Sequence, residues 1–177
     1  TTLIGLGLGA LVFQYAGRAN DRMTAFLNLE ELRDTTGYQV WQALLSIANG
    51  GMQGTGIGSG TSKWGYVPLA YSDFIFSVIA EEMGAAGTIM VIGGFITLVL
   101  LGMRIAVHAK DMHGAFIAGG IASWFGVQAI VNIGGVIGML PMTGLTLPFL
   151  SYGGSSLIAS MAASGLLLNV AREAKKK

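Results

Sequence analysis

Three stretches of this chain carry no Asp, Glu, Lys or Arg for at least about 20 residues, the length a helix needs to cross the hydrocarbon core of a bilayer. They are Met83–Met103, Met112–Leu140 and Gly144–Ala171. Backbone inside lipid must satisfy its own hydrogen bonds, so runs of this kind predict spanning helices. Composition agrees: 53% of the 177 residues are hydrophobic and 11% are charged, against roughly 25% charged in soluble domains. Thr1–Gly17 is a shorter fourth candidate. It opens inside an apolar run with no initiator Met, which reads as a truncated span preceded by further protein, and no signal peptide is recognisable. The expected fold is all-α, a polytopic transmembrane helix bundle with a large extracytoplasmic loop containing short interfacial or re-entrant helices. Its parts are a partial span 1–17, a loop 18–82, spans over about 83–107, 112–140 and 150–171, and a tail 172–177.

Charge sets the orientation. Arg104, Lys110, Arg172, Lys175, Lys176 and Lys177 lie close to span ends on one side, whereas Arg18, Arg22, Arg33 and Lys63 are spread along the long loop. The positive-inside rule makes the tail cytoplasmic and the loop outward-facing. The net charge of +1 carries no signal for nucleic acid, and the absence of Cys removes disulfides, thiolate metal sites and thiol nucleophiles. The 28 Gly suit close helix packing in lipid; Gly5-x-x-x-Gly9 and Gly134-x-x-x-Gly138 have the spacing of helix contacts.

The long loop is patterned for structure. Residues 37–49 read as a surface helix with Gln39, Gln42, Ser46 and Asn49 on its polar face. A Gly-rich turn, Gly50–Gly60, follows; no strand precedes it, so it reads as a flexible loop or hinge near a substrate rather than a dinucleotide loop. A second short helix is expected from about Ser72 to Glu82, running on into the span. Asp73 sits at its start. By local sequence it is an N-cap; alternatively it is a carboxylate at a membrane mouth, able to act as a general base or to hold a divalent cation against a diphosphate. Asp73, Ser77 and Glu81 would share one face at i, i+4 and i+8. At least one of Glu81 and Glu82 reads as a headgroup-boundary residue, and either that faces the bundle interior is a functional candidate; His108 and His113 read as interfacial side chains, and Gln128 and Asn132 as interhelical hydrogen-bonding groups.

The most informative segment is Asn132–Ser156. Pro141, Gly144 and Pro148 break the helical pattern before Gly153-Gly154-Ser155-Ser156 opens the last span. Non-helical backbone at membrane depth survives when buried in protein or lining a wet cavity. The segment therefore marks a substrate cavity, with N–H groups at the last helix start available to an anion. Ser151, Tyr152, Ser155 and Ser156 are the candidate contacts there.

Asn132, Gly138-Met139-Leu140-Pro141, Thr143-Gly144 and Leu147-Pro148-Phe149-Leu150-Ser151-Tyr152-Gly153-Gly154-Ser155 together resemble the signature of the FtsW/RodA/SpoVE (SEDS) family. A second stretch agrees: Gly37-Tyr38-Gln39, Gln42, Gly50-Gly51, Gly54, Gly56-Ile57-Gly58, Ser72-Asp73-Phe74-Ile75-Phe76 and Glu81-Glu82-Met83-Gly84. The wording Gly144-Leu145-Thr146-Leu147-Pro148 is closer to the division-associated branch than to the elongation-associated one.

This resemblance implies a peptidoglycan glycosyltransferase that polymerises lipid II at the outer face of the bacterial cytoplasmic membrane, at the division septum. It implies as partners a class B penicillin-binding transpeptidase and other divisome membrane proteins. The family's essential loop carboxylate matches Asp73, with Tyr71 where the family has His, and with Gly65 and Leu69 where acidic residues are often found. Arg18, Arg22 and Lys63 are the outward cations available to a leaving diphosphate; Gln39 and Gln42 are further substrate contacts. No resident cofactor is implied, Mg²⁺ or Mn²⁺ held between Asp73 and the diphosphate being the one alternative. The competing functions are a lipid II flippase and a non-catalytic divisome scaffold. Spans nearly free of ionisable groups speak against gradient-coupled transport.

Overall fold

The computed structural model describes residue 17 and residues 19–60 and 72–175. Among these there is no strand. Residues 19–27 are helical, and four further helices follow: α1 (Tyr38–Gly50), α2 (Ile75–Val107), α3 (Met112–Val136) and α4 (Gly154–Lys175). The last three are long and apolar enough to cross a membrane. Their side chains between the ends are mostly exposed, including Ile92, Ile96 and Leu100 on α2 and Ile158 and Met161 on α4. Such surfaces suit lipid, which solvates apolar side chains that water would not.

The helices meet where side chains are small. A Cβ on Gly102 of α2 would stand 2.7 Å from the Ala122 methyl of α3, so the two backbones approach as only Gly and Ala allow. Gly134 and Gly138, by contrast, do not seat one long helix against another: Gly134 faces Leu140 of the following turn and Gly138 faces Leu44 of α1. Gly138, at φ +70°, ends α3 in a Schellman turn: Met139 N–H donates to Gly134 C=O at 2.8 Å and Gly138 N–H to Gly135 C=O at 3.3 Å. The spacing that suggested packing serves termination instead.

Helix α2 is two helices joined at Gly84, where φ 60° and ψ −149° break the ladder. The carbonyls freed at this break are met by the Gly-rich turn. Thr55 N–H donates to Glu81 C=O at 2.9 Å, Gly56 N–H to Glu82 C=O at 3.0 Å and Gly58 N–H to the Glu82 carboxylate at 3.0 Å. A Cβ on Gly54 would overlap the Glu82 carbonyl. The turn is a strap bonded across the kink, not a free hinge, and Glu81, only 1% exposed, is a buried residue rather than a headgroup marker.

The main core lies at the end of the bundle that carries the loop. Ala43 of α1, Phe76 and Val78 of α2, Ala129 and Val136 of α3, with Phe74 and Leu147 from the connecting segments, form one buried cluster. A smaller cluster of Ala118, Leu167 and Val170 joins α3 to α4 at the other end. Burying Phe74 and Phe76, each 1% exposed, contributes about 1.5–3 kcal/mol apiece. It also fixes the chain on either side of Ile75, and hence the residue just before them, Asp73.

Candidate active site

Asp73 sits one residue outside the cap of its helix. The N-cap of α2 is Phe74, and no side chain bonds there; the free turn is closed by Ser77, whose N–H and Oγ both bond to Phe74 C=O. The Asp73 carboxylate is therefore not consumed as a cap. Nor do Asp73, Ser77 and Glu81 share a helical face, because the helix begins at Ile75, and Ser77 and Glu81 are buried elsewhere.

Across from Asp73 stands Arg22, from helical residues 19–27. Its Nη1 donates to Thr143 C=O at 2.6 Å, tying that helix to the Pro-broken segment. Gly144, at φ +77°, turns its open face to both: a Cβ there would lie 3.6 Å from Asp73 Oδ2 and 3.6 Å from Arg22 Nη2. Asp73 and Arg22 make no direct ion pair; the one formed among the described residues is Arg33–Asp34. A gap is left between carboxylate and guanidinium, floored by a glycine. It opens into a cavity of about 290 Å³ lined by Asp21, Arg22, Gln39 and Asp73 among polar residues and by Phe26, Val40 and Met142 among apolar ones.

Burial raises the Asp73 pKa above the ordinary carboxylate value, opposed by a hydrogen bond from Ser72 and by the charge of Arg22. The sum is a carboxylate made more basic by desolvation yet placed beside a cation. That is a suitable character for a group that takes up a proton during a reaction.

The Pro-broken segment forms the facing wall, and polar side chains satisfy its irregular backbone. Gln128 Nε2 donates to Thr146 C=O at 2.7 Å, and Asn132 Nδ2 to Leu145 C=O at 2.6 Å and to Asp73 C=O at 2.9 Å. Ser151 Oγ accepts from Leu147 N–H at 2.7 Å, and Thr146 Oγ1 donates to Ser156 Oγ at 2.9 Å. Phe149, at φ 65°, is the one non-glycine residue described with a positive φ, so the segment holds strained backbone in place.

Of the sequence-predicted site residues, the fold brings Asp73, Arg22 and Gln39 to one cavity. Gln42, on the same helix as Gln39, does not line it. Ser151 is spent on the Leu147 turn and Ser156 on Thr146, while Tyr152 is 85% exposed and Ser155 exposed, away from the cavity. Arg18 and Lys63 lie outside the described residues, as does Tyr71. Asp21, which nothing in the sequence singled out, lines the cavity. Gln128 and Asn132 bond to irregular backbone and to the Asp73 carbonyl rather than to a neighbouring helix. No group of three or more His, Cys, Asp or Glu able to hold a metal occurs among the described residues.

The comparisons with known proteins point one way. The chain is 48% identical over 154 residues to the probable peptidoglycan glycosyltransferase FtsW of Geobacter metallireducens, covering 87% of this chain and 41% of that protein. It is 44% identical over 171 residues to the stage V sporulation protein E of Bacillus subtilis, covering 96% and 46%. It thus spans less than half the length of these curated relatives. A solved structure described as showing coordination of polymerization and crosslinking by a peptidoglycan synthase complex superposes with a TM-score of 0.71 at 33% identity, covering 99% of this chain and 50% of that one. The family model for FtsW/RodA/SpoVE cell cycle proteins matches residues 1–176, and with the Asp73 loop and the Pro-broken wall both in place, the chain belongs to the FtsW/RodA/SpoVE family.

Proposed function

We propose that this protein is a peptidoglycan glycosyltransferase that polymerises lipid II, with Asp73 as the general base. The observation that carries the reading is the Asp73 carboxyl: it is not used as a cap, is half-buried and made more basic by desolvation, and faces Arg22 across a glycine-floored gap. The acceptor sugar's 4-hydroxyl gives its proton to Asp73 as its oxygen bonds to the donor's anomeric carbon. The bond from that carbon to the diphosphate oxygen breaks, undecaprenyl diphosphate leaves, and the anomeric configuration inverts. A positioned base contributes typically ~10² to 10⁴ in rate. Arg22, with Arg18 and Lys63, supplies the positive charge that favours the leaving diphosphate. Gln39 contributes a hydrogen-bonding amide to the bound sugar.

Both substrates carry membrane tails and exposed sugars. A cavity seated where a loop meets broken spans admits them, with the loop facing outward from the cytoplasmic membrane. The relatives named FtsW support a place in septal wall synthesis. The solved complex supports a crosslinking partner of the class B penicillin-binding transpeptidase type. Reconstitution of the full-length protein with labelled lipid II tests the reading. Glycan strands are expected; leaflet exchange without strands would make it a flippase, and neither would make it a scaffold.

A further inference from the structure

Nothing in the ladder of α2 holds Asp73, because the helix starts at Ile75 and its N-cap makes no side-chain bond. What reaches the Asp73 peptide is Asn132, near the end of α3 and 1% exposed. Its carboxamide nitrogen donates to Asp73 C=O at 2.9 Å and to Leu145 C=O at 2.6 Å. Asp73 lines the cavity, and Leu145 follows the glycine that floors the gap. One side chain thus ties the two segments together.

The orientation of this amide is dictated. With nitrogen and oxygen exchanged, the oxygen would face two carbonyl oxygens, which cannot donate. Oδ1 must therefore point away, and it is buried there with no hydrogen-bond partner. One turn earlier, Gln128 is built alike: Nε2 bonds to Thr146 C=O and Oε1 is buried without a partner. A buried acceptor left unmatched is destabilising, and at Asn132 it is tolerated where one nitrogen bonds the Asp73 and Leu145 carbonyls together. Departures from the best local choice gather where geometry serves function.

We propose that Asn132 is a positioning residue for the transfer reaction: its two N–H bonds lock the Asp73 peptide to Leu145 and so set the gap between carboxylate, guanidinium and the open face of Gly144. The inference rests on Asp73 being the base. Gln128 holds the neighbouring carbonyl but does not touch Asp73, which makes it the natural comparison.

The test uses full-length protein in a lipid II polymerisation assay, with Asn132→Leu, Gln128→Leu, Asp73→Asn and the Asn132→Leu/Asp73→Asn double variant. Asn132→Leu is expected to lower kcat on the order of 10²-fold, the effect of misplacing a catalytic group by about 1 Å, with KM little changed. Gln128→Leu, which frees only the Thr146 carbonyl, lowers kcat less than Asn132→Leu does. The double variant is no slower than Asp73→Asn alone, since residues acting as one unit are not additive. Asn132→Ser, which retains a single donor, falls between. An additive loss in the double variant, or a normal kcat in Asn132→Leu while Asp73→Asn is dead, overturns the positioning role alone. An active Asp73→Asn overturns the base assignment and this inference with it. Failure of both Asn132 variants to accumulate in the membrane makes Asn132 a scaffold residue and also overturns it.

Discussion

Replacing Gly144 by alanine puts a methyl group into the gap between Arg22 and Asp73. The methyl would stand 3.6 Å from Asp73 Oδ2 and 3.6 Å from Arg22 Nη2, ordinary contact distances, so no atom need move to admit it. The cost to folding is then conformational: an L-residue at φ +77° is disfavoured by roughly 1–2 kcal/mol. The cost to the reaction is larger, because the methyl occupies the space where a hydroxyl would meet the carboxylate. A displacement of about 1 Å at the reacting centre is expected to lower kcat by up to ~10²-fold. It also strips water from a carboxyl whose pKa burial already raises, so the acidic limb of kcat/KM moves to higher pH. Gly153→Ala is the control, its Cβ meeting Ser156 at 3.6 Å with no left-handed φ. Polymerisation of lipid II across pH, normalised to folded protein, reads the result. Unchanged kcat and an unmoved acidic limb in Gly144→Ala would refute the claim that this gap is where the chemistry happens.

Two further outcomes follow from the same geometry. Arg22→Gln removes a charge that lowers the Asp73 pKa, so the acidic limb moves to higher pH and kcat falls; a limb moving to lower pH, followed in the same assay, would contradict the arrangement. Gly54→Ala forces a methyl onto the Glu82 carbonyl at φ +75°, and should cost roughly 2–5 kcal/mol from strain and overpacking together. Gly93→Ala, with open space around it, should cost nothing, and thermal unfolding in detergent compares the two.

Much of the fold was legible because its signals are local. Charge-free runs located the three long helices, and Pro141 and Pro148 located the break between the last two. The ends moved for a local reason as well: α3 stops at Val136 rather than near 140 because Gly138 takes the left-handed turn, and α4 starts at Gly154 because Ser151 and Thr146 hold the preceding turn. The site was half legible. Asp73 stood out as an isolated carboxylate before an apolar run, and whether it capped the helix depended on a one-residue shift of the helix start. Phe74 settles that shift by its burial, which no local pattern displays. Arg22 was one of several outward cations; its place opposite Asp73 comes from a bond to Thr143, 121 residues away. Ser155 and Tyr152 are exposed, and past Pro148 the chain leaves them outside the lining of the Asp73 cavity. Asn132 read as a generic interhelical amide because the carbonyls it meets belong to segments with no periodic signature.

The central claim is that Asp73 is spared from structural work so that it can take a proton. Its folded-state pKa lies above that of the unfolded chain, so folding takes up a proton between the two values. The stability of the protonated form is lost as pH rises from the ordinary carboxylate value through the folded one. At neutral pH the charged carboxylate is thus a small burden on the fold. Asp73→Asn in the full-length protein measures both sides at once: the account predicts loss of lipid II polymerisation with thermal stability kept or raised at neutral pH. Glycan synthesis retained at normal protein level, or a stability loss of about 1 kcal/mol with activity per folded molecule unchanged, as removal of an N-cap would give, would contradict it.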